Sequence, residues 1–296
     1  MTSLSLEQYI ELFNPGSLPN IDSFVTPAAE RPKNWTCMAS DWGGTNFRSA
    51  EIAFDENGNA NVRNLFTCTM PGRDSSLTID ELFAFYDERK KAHGAEISGV
   101  CFSSPATILP DGTAEILCFT KELKVSGAEH RIINESVIND AVGVLMGTKG
   151  ANMGLVLGTG YNIAYVKDNR VINSECGTYT EFPTEAFDFG PKAEMQLSGA
   201  YINPLLEKTA GLASREEIID RAAKVAVSEI YGIAEYAGLK EARIAAEGSV
   251  FYKFKELHDK IEYYVKQLPL DVVFLDGRDT TLIGAATALY ERRYRV

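Results

Sequence analysis

The chain lacks the features expected of a membrane protein or a nucleic-acid-binding protein. No run approaches the roughly 18 consecutive apolar residues of a membrane span, and no basic stretch leads into an apolar one near the N-terminus. Its 29 Lys and Arg residues are outnumbered by 41 Asp and Glu, and the net charge of −12 disfavours nucleic acid and anionic membranes. We therefore expect a cytoplasmic protein without a nucleic-acid or membrane partner, either a monomer or a homodimer.

Cysteine and histidine are scarce, and their spacing gives no metal site. The three histidines are isolated, and the five cysteines are an odd number without a CxxC pair. We expect buried thiols at Cys37, Cys68, Cys101, Cys118 and Cys176. No low-complexity tract or long linker divides the chain.

The pattern of apolar residues instead predicts an α/β fold in which the same order of strands and helices occurs twice. Three strands separated by turns precede alternating helices and strands, first from Thr36 and again from Gly154. The doubling predicts two α/β subdomains of similar topology that face each other across a cleft. We place an N-terminal arm and the small subdomain in residues 1–138, with 281–296 packing back on them, and the large subdomain in residues 139–280.

Several helix boundaries have local signals. Capping boxes pair Ser5 with Gln8, Thr78 with Glu81 and Ser214 with Glu217. Further helices are predicted near Asp140, over Lys192–Thr209 and Phe251–Gln267, and from Thr281 onward. Hairpins are predicted at Glu56-Asn57-Gly58, Pro110-Asp111-Gly112 and Lys167-Asp168-Asn169.

Two glycine-rich turns carry the strongest chemical signal. Glycine lets a backbone approach an anion with several N–H groups aimed at it. The first turn offers Gly43, Gly44, Thr45 and Asn46, with Arg48 adding positive charge, and the second offers Gly158, Thr159 and Gly160. Asp41, at the end of the first strand, suits Mg²⁺ held through water. Two phosphate-sized turns with Asp140 between them predict a kinase.

Motifs in register along the chain resemble the hexokinase family of the actin, Hsp70 and sugar-kinase superfamily. DWGGTNFR from Asp41 is similar to its first phosphate motif, and GLVLGTGYN from Gly154 to its second. Similar matches run in order through the sugar-binding, catalytic and adenosine motifs: FSSP from Phe102, FTK from Phe119, VINDAVGVLM from Val137, INSECG from Ile172, EMQLSGAY from Glu194 and EGSVFYK from Glu247.

The resemblance implies two RNase H-like subdomains of the actin-like ATPase fold and an enzyme that uses ATP and Mg²⁺. It implies transfer of phosphate to the 6-hydroxyl of a hexose, with glucose expected first and mannose or fructose as further substrates, and with Asp140 as general base. The implied sugar-binding residues are Ser103, Thr120, Lys121, Asn139, Asp140, Asn162, Glu175 and Glu194. The adenosine side is implied to involve Gly248, Ser249 and Gly284.

Other interpretations of these residues stay open at this point. Asp140 could cap a helix, Asp41 could close a turn, and Glu175, Glu194 and Lys121 could be solvated surface charges. The chain also departs from the family pattern at Ser104, Tyr161 and Cys176, which affects the expected sugar specificity more than catalysis. The zinc motif of the related ROK sugar kinases is absent.

Two other functions remain possible on the same fold. A non-catalytic regulator that binds a sugar or a nucleotide would keep the architecture without the reaction. An ATPase of the actin or Hsp70 kind would not need Ser103, Asn162, Glu175 and Glu194. Binding of glucose without ATP would exclude the ATPase.

Overall fold

The computed structural model describes residues 4–27, 30–183, 190–208 and 214–294. In these ranges the α-helices are α1 (Leu6–Leu12), α2 (Ile79–Ala92), α3 (Asp140–Gly147), α4 (Cys176–Tyr179), α5 (Ala193–Leu197), α6 (Gly199–Lys208), α7 (Arg215–Ala237), α8 (Ser249–Lys253), α9 (Lys255–Val265) and α10 (Thr280–Tyr294). No helix in this described part of the chain is long and apolar enough to cross a membrane.

The strands follow the predicted order. They are β1 (Ile21–Asp22), β2 (Trp35–Trp42), β3 (Asn46–Phe54), β4 (Ala60–Thr69), β5 (Leu77–Thr78), β6 (Ser98–Phe102), β7 (Ala106–Ile108), β8 (Ala114–Ile116), β9 (Val125–Ser126), β10 (Ile132–Ile133), β11 (Ser136–Asn139), β12 (Met153–Leu157), β13 (Tyr161–Lys167), β14 (Arg170–Asn173), β15 (Glu241–Glu247) and β16 (Asp271–Leu275). The three predicted hairpin tips lie between β3 and β4, β7 and β8, and β13 and β14.

Two sheets repeat one topology. One has the order β11-β6-β2-β3-β4, in which β2 and β3 are antiparallel, and β2, β6 and β11 are parallel. The other has the order β1-β14-β13-β12-β15-β16, in which β12 and β13 are antiparallel, and β12, β15 and β16 are parallel. Because each sheet grows from an antiparallel hairpin to parallel strands on one side, the predicted doubling of an α/β plan is confirmed.

The described residues fall into two compact units. The first unit is drawn from residues 22–149, 169–171 and 277–296, and the second from residues 1–21, 150–168 and 172–276. Two helices fall outside the predicted boundaries, because α1 groups with the second unit and α3 with the first; the short segments 169–171 and 277–280 also group with the first unit.

Packing explains both differences. Leu6 and Tyr9 of α1, with the following Phe13, enter the same apolar core as α7. Helix α3 packs on α10 through two glycines: a Cβ added to Gly284 would lie 1.9 Å from the Gly143 carbonyl oxygen. Contacts between distant segments therefore decide the grouping.

Local capping signals place helix starts well, but two long helices are broken. Ser5, Thr78 and Ser214 each accept a hydrogen bond from the third residue of the following helix, as predicted. The predicted helix over Lys192–Thr209 is interrupted at Ser198, where the backbone is extended, and Thr209 lies outside the described residues. The predicted helix over Phe251–Gln267 is divided at Phe254 into α8 and α9.

The α3–α10 contact gives a stability prediction. Gly284→Ala should lower the free energy of unfolding by about 3 kcal/mol, because the added methyl overlaps a backbone carbonyl that cannot move aside. Urea unfolding measures the loss. Gly94→Ala is the control, since nothing lies within 4 Å of its added carbon and its positive φ alone costs about 1 kcal/mol. Equal losses in the two variants would contradict the close helix contact.

Candidate active site

Three parallel strands bring the first group of predicted residues to one edge of the first unit's sheet. Trp42 of β2 pairs in register with Phe102 of β6, and Phe102 pairs with Asn139 of β11. The carboxyl ends of these strands therefore lie side by side, about 4.8 Å apart from one strand to the next. The Ser103 N–H donates to the Trp42 carbonyl at 3.2 Å. Asp41, Ser103 and Asp140 consequently lie at the same edge.

Asp140 is the first residue of α3. The Asn139 side chain caps the helix by accepting from the Ala141 N–H at 2.9 Å, and Asp140 Oδ1 accepts from the same N–H at 2.8 Å. A carboxylate at a helix N-terminus is stabilised as the anion by the aligned peptide dipoles. Asp140 therefore caps its helix and at the same time presents a carboxylate at the sheet edge.

Hydrogen bonds donated to its backbone carbonyls hold the first glycine turn in place. The Gly43 N–H donates to the Asn46 carbonyl at 3.0 Å, the Arg73 guanidinium donates to the Gly44 carbonyl at 2.8 Å, and the Met70 N–H donates to the Thr45 carbonyl at 2.9 Å. Arg73 is not one of the site residues predicted from the sequence. The carbonyls are thus turned toward protein donors, which suits a turn whose N–H groups receive an anion.

Thr120 lies beside this turn. A Cβ on Gly44 would lie 3.8 Å from the Thr120 hydroxyl oxygen, which is buried and makes no hydrogen bond to a described residue. Buried hydroxyls nearly always have a partner, so this one is a good candidate to contact a bound molecule. The adjacent Lys121 is exposed.

Asp41 and Arg48 form an ion pair. Arg48 donates to Asp41 Oδ2 from Nη2 at 2.7 Å and from Nε at 3.1 Å, and Thr281 of α10 donates to the same oxygen at 3.0 Å. Arg48 also approaches Asp279 at 3.4 Å. Arg48 therefore orients Asp41, and two carboxylates oppose its charge. Its expected contribution of positive charge to the phosphates stays a prediction.

The donor set around Asp41 fits magnesium held through water. No group of three or more His, Cys, Asp or Glu in the described ranges could hold a metal directly. The bonds from Arg48 and Thr281 all go to Oδ2 of Asp41, whereas Oδ1 lies 4.0 Å from the position of a Cβ on Gly43. One carboxylate oxygen beside the turn suits an ion that keeps most of its water.

The second glycine turn is built against two other segments of the second unit. The Gly199 N–H, which begins α6 after the break at Ser198, donates to the Gly158 carbonyl at 2.7 Å, and Ala200 donates to the Thr159 carbonyl at 3.2 Å. A Cβ on Gly160 would lie 3.8 Å from Oε1 of Glu194. The helix break thus follows from a contact with the turn, and Glu194 lies next to it.

Gly248 lies against the second turn, and Gly284 lies in a helix contact of the first unit. Gly248 has a φ of +122°, and a Cβ there would lie 2.2 Å from the Leu157 carbonyl oxygen, so the segment leading to Ser249 runs directly against the second turn. Gly284 is buried in the contact of α10 with α3. Gly284 therefore has a packing role, and its assignment to the adenosine side stays a prediction.

The sugar residues predicted in the second unit are joined through Asn173. The Asn162 amide donates to Asn173 Oδ1 at 2.8 Å, and the Asn173 amide donates to Glu175 Oε1 at 2.7 Å. Glu175 has a φ of +55°, in the left-handed region, and burial raises the pKa of its carboxyl. Asn173 itself was missed, although it lies inside the INSECG stretch from Ile172.

A buried polar cluster lies on the core side of these residues. Glu229 of α7 is 0% exposed, and its carboxyl interacts with Tyr161, Thr180 and Cys176. Neither carboxyl oxygen, nor the Tyr161 or Thr180 hydroxyl, makes a well-formed hydrogen bond to a described residue. Burial raises the pKa of Glu229 to about 7. No sequence signal marks Glu229, because its surroundings come from three separate segments.

The burial of the cysteines agrees with the expectation only in part. Cys101 and Cys176 are buried, Cys37 and Cys68 are half-buried, and Cys118 is exposed, all with free thiols. The expectation of a buried thiol is therefore wrong for Cys118, which follows β8 in a surface loop.

Comparisons with known proteins agree with this layout. A family model described as hexokinase matches residues 213–290. The chain is 24% identical over 259 residues to a hexokinase of Plasmodium falciparum, covering 65% of this chain and 52% of that protein. The chain thus spans about half the length of this curated relative.

Solved structures extend the likeness to nearly the whole chain. The hexokinase from Schistosoma mansoni complexed with glucose matches with a TM-score of 0.71 at 19% identity, covering 97% of this chain and 96% of that one. A ROK family glucokinase from Streptomyces griseus, in complex with glucose and AMPPNP, matches with a TM-score of 0.56 at 15% identity, covering 85% and 98%.

The repeated sheet topology and these structural matches define the actin-like ATPase fold, as predicted. Within this fold class, the family model and the hexokinase relative confirm the resemblance of the chain to the hexokinase family.

Glu229 gives a pH-dependent stability prediction. Its folded-state pKa of about 7 lies above the ordinary 4.5, so the folded protein holds the proton more tightly and its stability falls as pH rises from about 4.5 to about 7. The glutamine of the Glu229→Gln variant cannot ionise. The free energy of unfolding of the variant minus that of the native protein should therefore rise by roughly 3 kcal/mol as pH rises over this interval. Urea unfolding at pH 5 and pH 8 measures the difference. A difference independent of pH would contradict the raised pKa.

Proposed function

We propose that the protein transfers the γ-phosphoryl group of ATP to the 6-hydroxyl of a hexose, with glucose as the preferred substrate. The observation that carries this proposal is the register of β2, β6 and β11, which brings Asp41, Ser103 and Asp140 to one sheet edge. Phosphoryl transfer needs an acceptor-side base and a phosphate-side metal close together. Asp140 and Asp41 supply one candidate for each.

Asp140 is proposed as the general base. Its carboxylate accepts the proton of the sugar 6-hydroxyl as the new oxygen–phosphorus bond forms, while the bond from the γ-phosphorus to the β–γ bridging oxygen breaks and ADP leaves. The position at the start of α3 favours the ionised form that this role requires. Because the preceding Asn139 already caps the helix, Asp140 is not needed for that purpose alone.

The two glycine turns are proposed to bind the phosphates. In the first turn, Gly44, Thr45 and Asn46 are proposed to offer N–H groups while protein donors occupy the turn's carbonyls. The Gly43 N–H itself donates to the Asn46 carbonyl, so the contribution proposed for Gly43 is a backbone that phosphate can approach closely. In the second, Gly158, Thr159 and Gly160 lie against Gly248 and Ser249, which are proposed for the adenosine side. Magnesium near Asp41 would neutralise charge on the phosphates when bound.

We propose that polar side chains bind the hexose. They are Ser103, Thr120, whose hydroxyl makes no hydrogen bond to a described residue, Lys121, Asn139, Asp140, Asn162, Glu175 and Glu194. Such a mixture of hydroxyl, amide and carboxylate groups can pair with vicinal sugar hydroxyls, each of which donates and accepts. Glucose is favoured because two structural neighbours are described as bound to it.

The experiment that tests this function is a turnover assay with purified protein, ATP and Mg²⁺. Glucose, mannose, fructose and N-acetylglucosamine are supplied separately, with a no-sugar control. Sugar-dependent formation of ADP with the hexose 6-phosphate as product supports the proposal. Binding of a hexose without turnover would indicate a regulator instead, and ADP formation independent of sugar would indicate an ATPase.

Asp140→Asn tests the base. The amide keeps the shape and the helix-capping capacity of the side chain but cannot take a proton, so kcat should fall by about 10²–10⁴-fold. Circular dichroism and calorimetric titration with glucose should show an unchanged fold and retained sugar binding.

Asp168→Asn is the matched control. Asp168 is an exposed carboxylate at the β13–β14 turn, and its φ of +50° is one that asparagine also tolerates. This variant should keep native turnover. If Asp140→Asn turned over as fast as Asp168→Asn, Asp140 could not be the base.

A further inference from the structure

The buried cluster of Glu229, Tyr161, Thr180 and Cys176, here the Glu229 cluster, lies next to two of the proposed sugar residues, Asn162 and Glu175. Tyr161 precedes Asn162 on β13, and Cys176 follows Glu175 at the start of α4. Because successive side chains of a strand point to opposite faces, Tyr161 enters the core while Asn162 points away from it. Two of the three neighbours of Glu229, Tyr161 and Cys176, are therefore adjacent in the chain to a proposed sugar ligand.

Close contacts couple α4 to β13. A Cβ on Gly177 would lie 2.1 Å from the Tyr161 carbonyl oxygen, so the backbone of α4 rests directly on the strand. The Ser174 N–H donates to the Ile163 carbonyl at 3.1 Å, and the Cys176 N–H donates to the Ser174 hydroxyl at 3.2 Å. A displacement of Tyr161 or Cys176 would thus be passed to the segment that carries Asn173 and Glu175.

Stability gives no reason for an acid at this position. A buried carboxyl whose hydrogen bonds are poorly formed destabilises the folded state, and an apolar side chain of similar size would pack here without that cost. Tyr161 and Cys176 are also two of the positions at which the sequence departs from the motifs it resembles. In the structure these two departures meet at one carboxyl group.

We infer that Glu229 is a positioning residue for the hexose: through Tyr161 and Cys176 it holds Asn162 and Glu175 in the arrangement that binds the sugar. This inference rests on the proposed function. The neutral carboxyl has one donor and acceptor oxygens to share with the Tyr161 and Thr180 hydroxyls and the Cys176 thiol. The ionised carboxylate can still accept from these groups but can no longer donate to any of them, and it introduces a buried charge, whose desolvation raises the pKa of Glu229.

The ionisable groups around Glu229 come from two elements. Tyr161 of β13 and Cys176 of α4 interact with it, and burial raises the pKa of both groups well above the ordinary value. Polar groups of the other helices packed on α7 interact with α7 residues other than Glu229. Tyr9 of α1 interacts with Arg221 and Asp220, and Gln196 of α5 accepts from Arg221. Lys260 and Tyr264 of α9 donate to Asp220.

The test compares Glu229→Gln with the native protein between pH 6 and pH 8.5. Glutamine imitates the neutral carboxyl, so the two proteins should have similar KM values for glucose at pH 6. As Glu229 loses its proton near pH 7, the native KM for glucose should rise relative to that of the variant by about five-fold, which corresponds to about 1 kcal/mol. The ratio of KM values for ATP should stay constant, which a general loss of stability would not produce.

Glu229→Ala supplies a second measurement. Removing the carboxyl leaves Tyr161 and Cys176 unsupported, so the KM for glucose should rise about ten-fold at every pH, with a smaller change in the KM for ATP. Ser228→Ala is the matched control, because Ser228 is a buried neighbour whose hydroxyl donates to the Val225 carbonyl within the same helix. It should leave both KM values unchanged.

The outcomes separate the two proposals. A native protein that neither binds nor phosphorylates any of the four hexoses overturns the proposed function and this inference together. A native protein that phosphorylates glucose, with a KM ratio to Glu229→Gln that is flat across pH and a KM in Glu229→Ala within two-fold of native, overturns the role of Glu229 alone.

Discussion

The parallel pairing of β2, β6 and β11 is the constraint on which the proposed chemistry depends. Their register sets Trp42, Phe102 and Asn139 side by side, and the next residues carry the hydroxyl of Ser103 and the carboxylate of Asp140. A slip of one residue in β11 would turn Asn139 and every other side chain of that strand to the opposite face. Helix α10 opposes such movement, because its backbone lies so close to Gly99 of β6 that a Cβ there would overlap it, and because its own Gly284 lies equally close to Gly143 of α3.

In the second unit, close glycine contacts and an amide network hold the proposed site residues in place. Its phosphate-sized turn is held by the start of α6 and by Gly248, while Asn173 links Asn162 to Glu175. In both units, residues that are not proposed to touch substrate hold the residues that are: Thr281 and Arg48 orient Asp41, Arg73 holds the first turn, and Asn173 holds the sugar pair. This distribution is physically reasonable, since reacting groups must be held to within a fraction of an ångström.

Local patterns in the sequence predict features whose cause is local. The capping boxes at Ser5, Thr78 and Ser214 and the strand before each glycine turn depend on neighbouring residues, and the structure confirms them. The break at Ser198, the packing role of Gly284 and the surroundings of Glu229 depend on contacts between segments far apart in the chain, so periodicity could not reveal them. The assignment of Arg48 to phosphate followed from its place in the motif, whereas its pairing with Asp41 depends on side-chain geometry.

The most direct test of this account is a crystal structure of the protein with glucose and a non-hydrolysable ATP analogue in the presence of Mg²⁺. The account predicts that the Asp140 carboxylate lies within about 3 Å of the sugar 6-hydroxyl, that phosphate oxygens meet both glycine turns, and that Asn162 and Glu175 bind sugar hydroxyls. A sugar bound away from the shared end of β2, β6 and β11, or one whose 6-hydroxyl points away from Asp140, would contradict it.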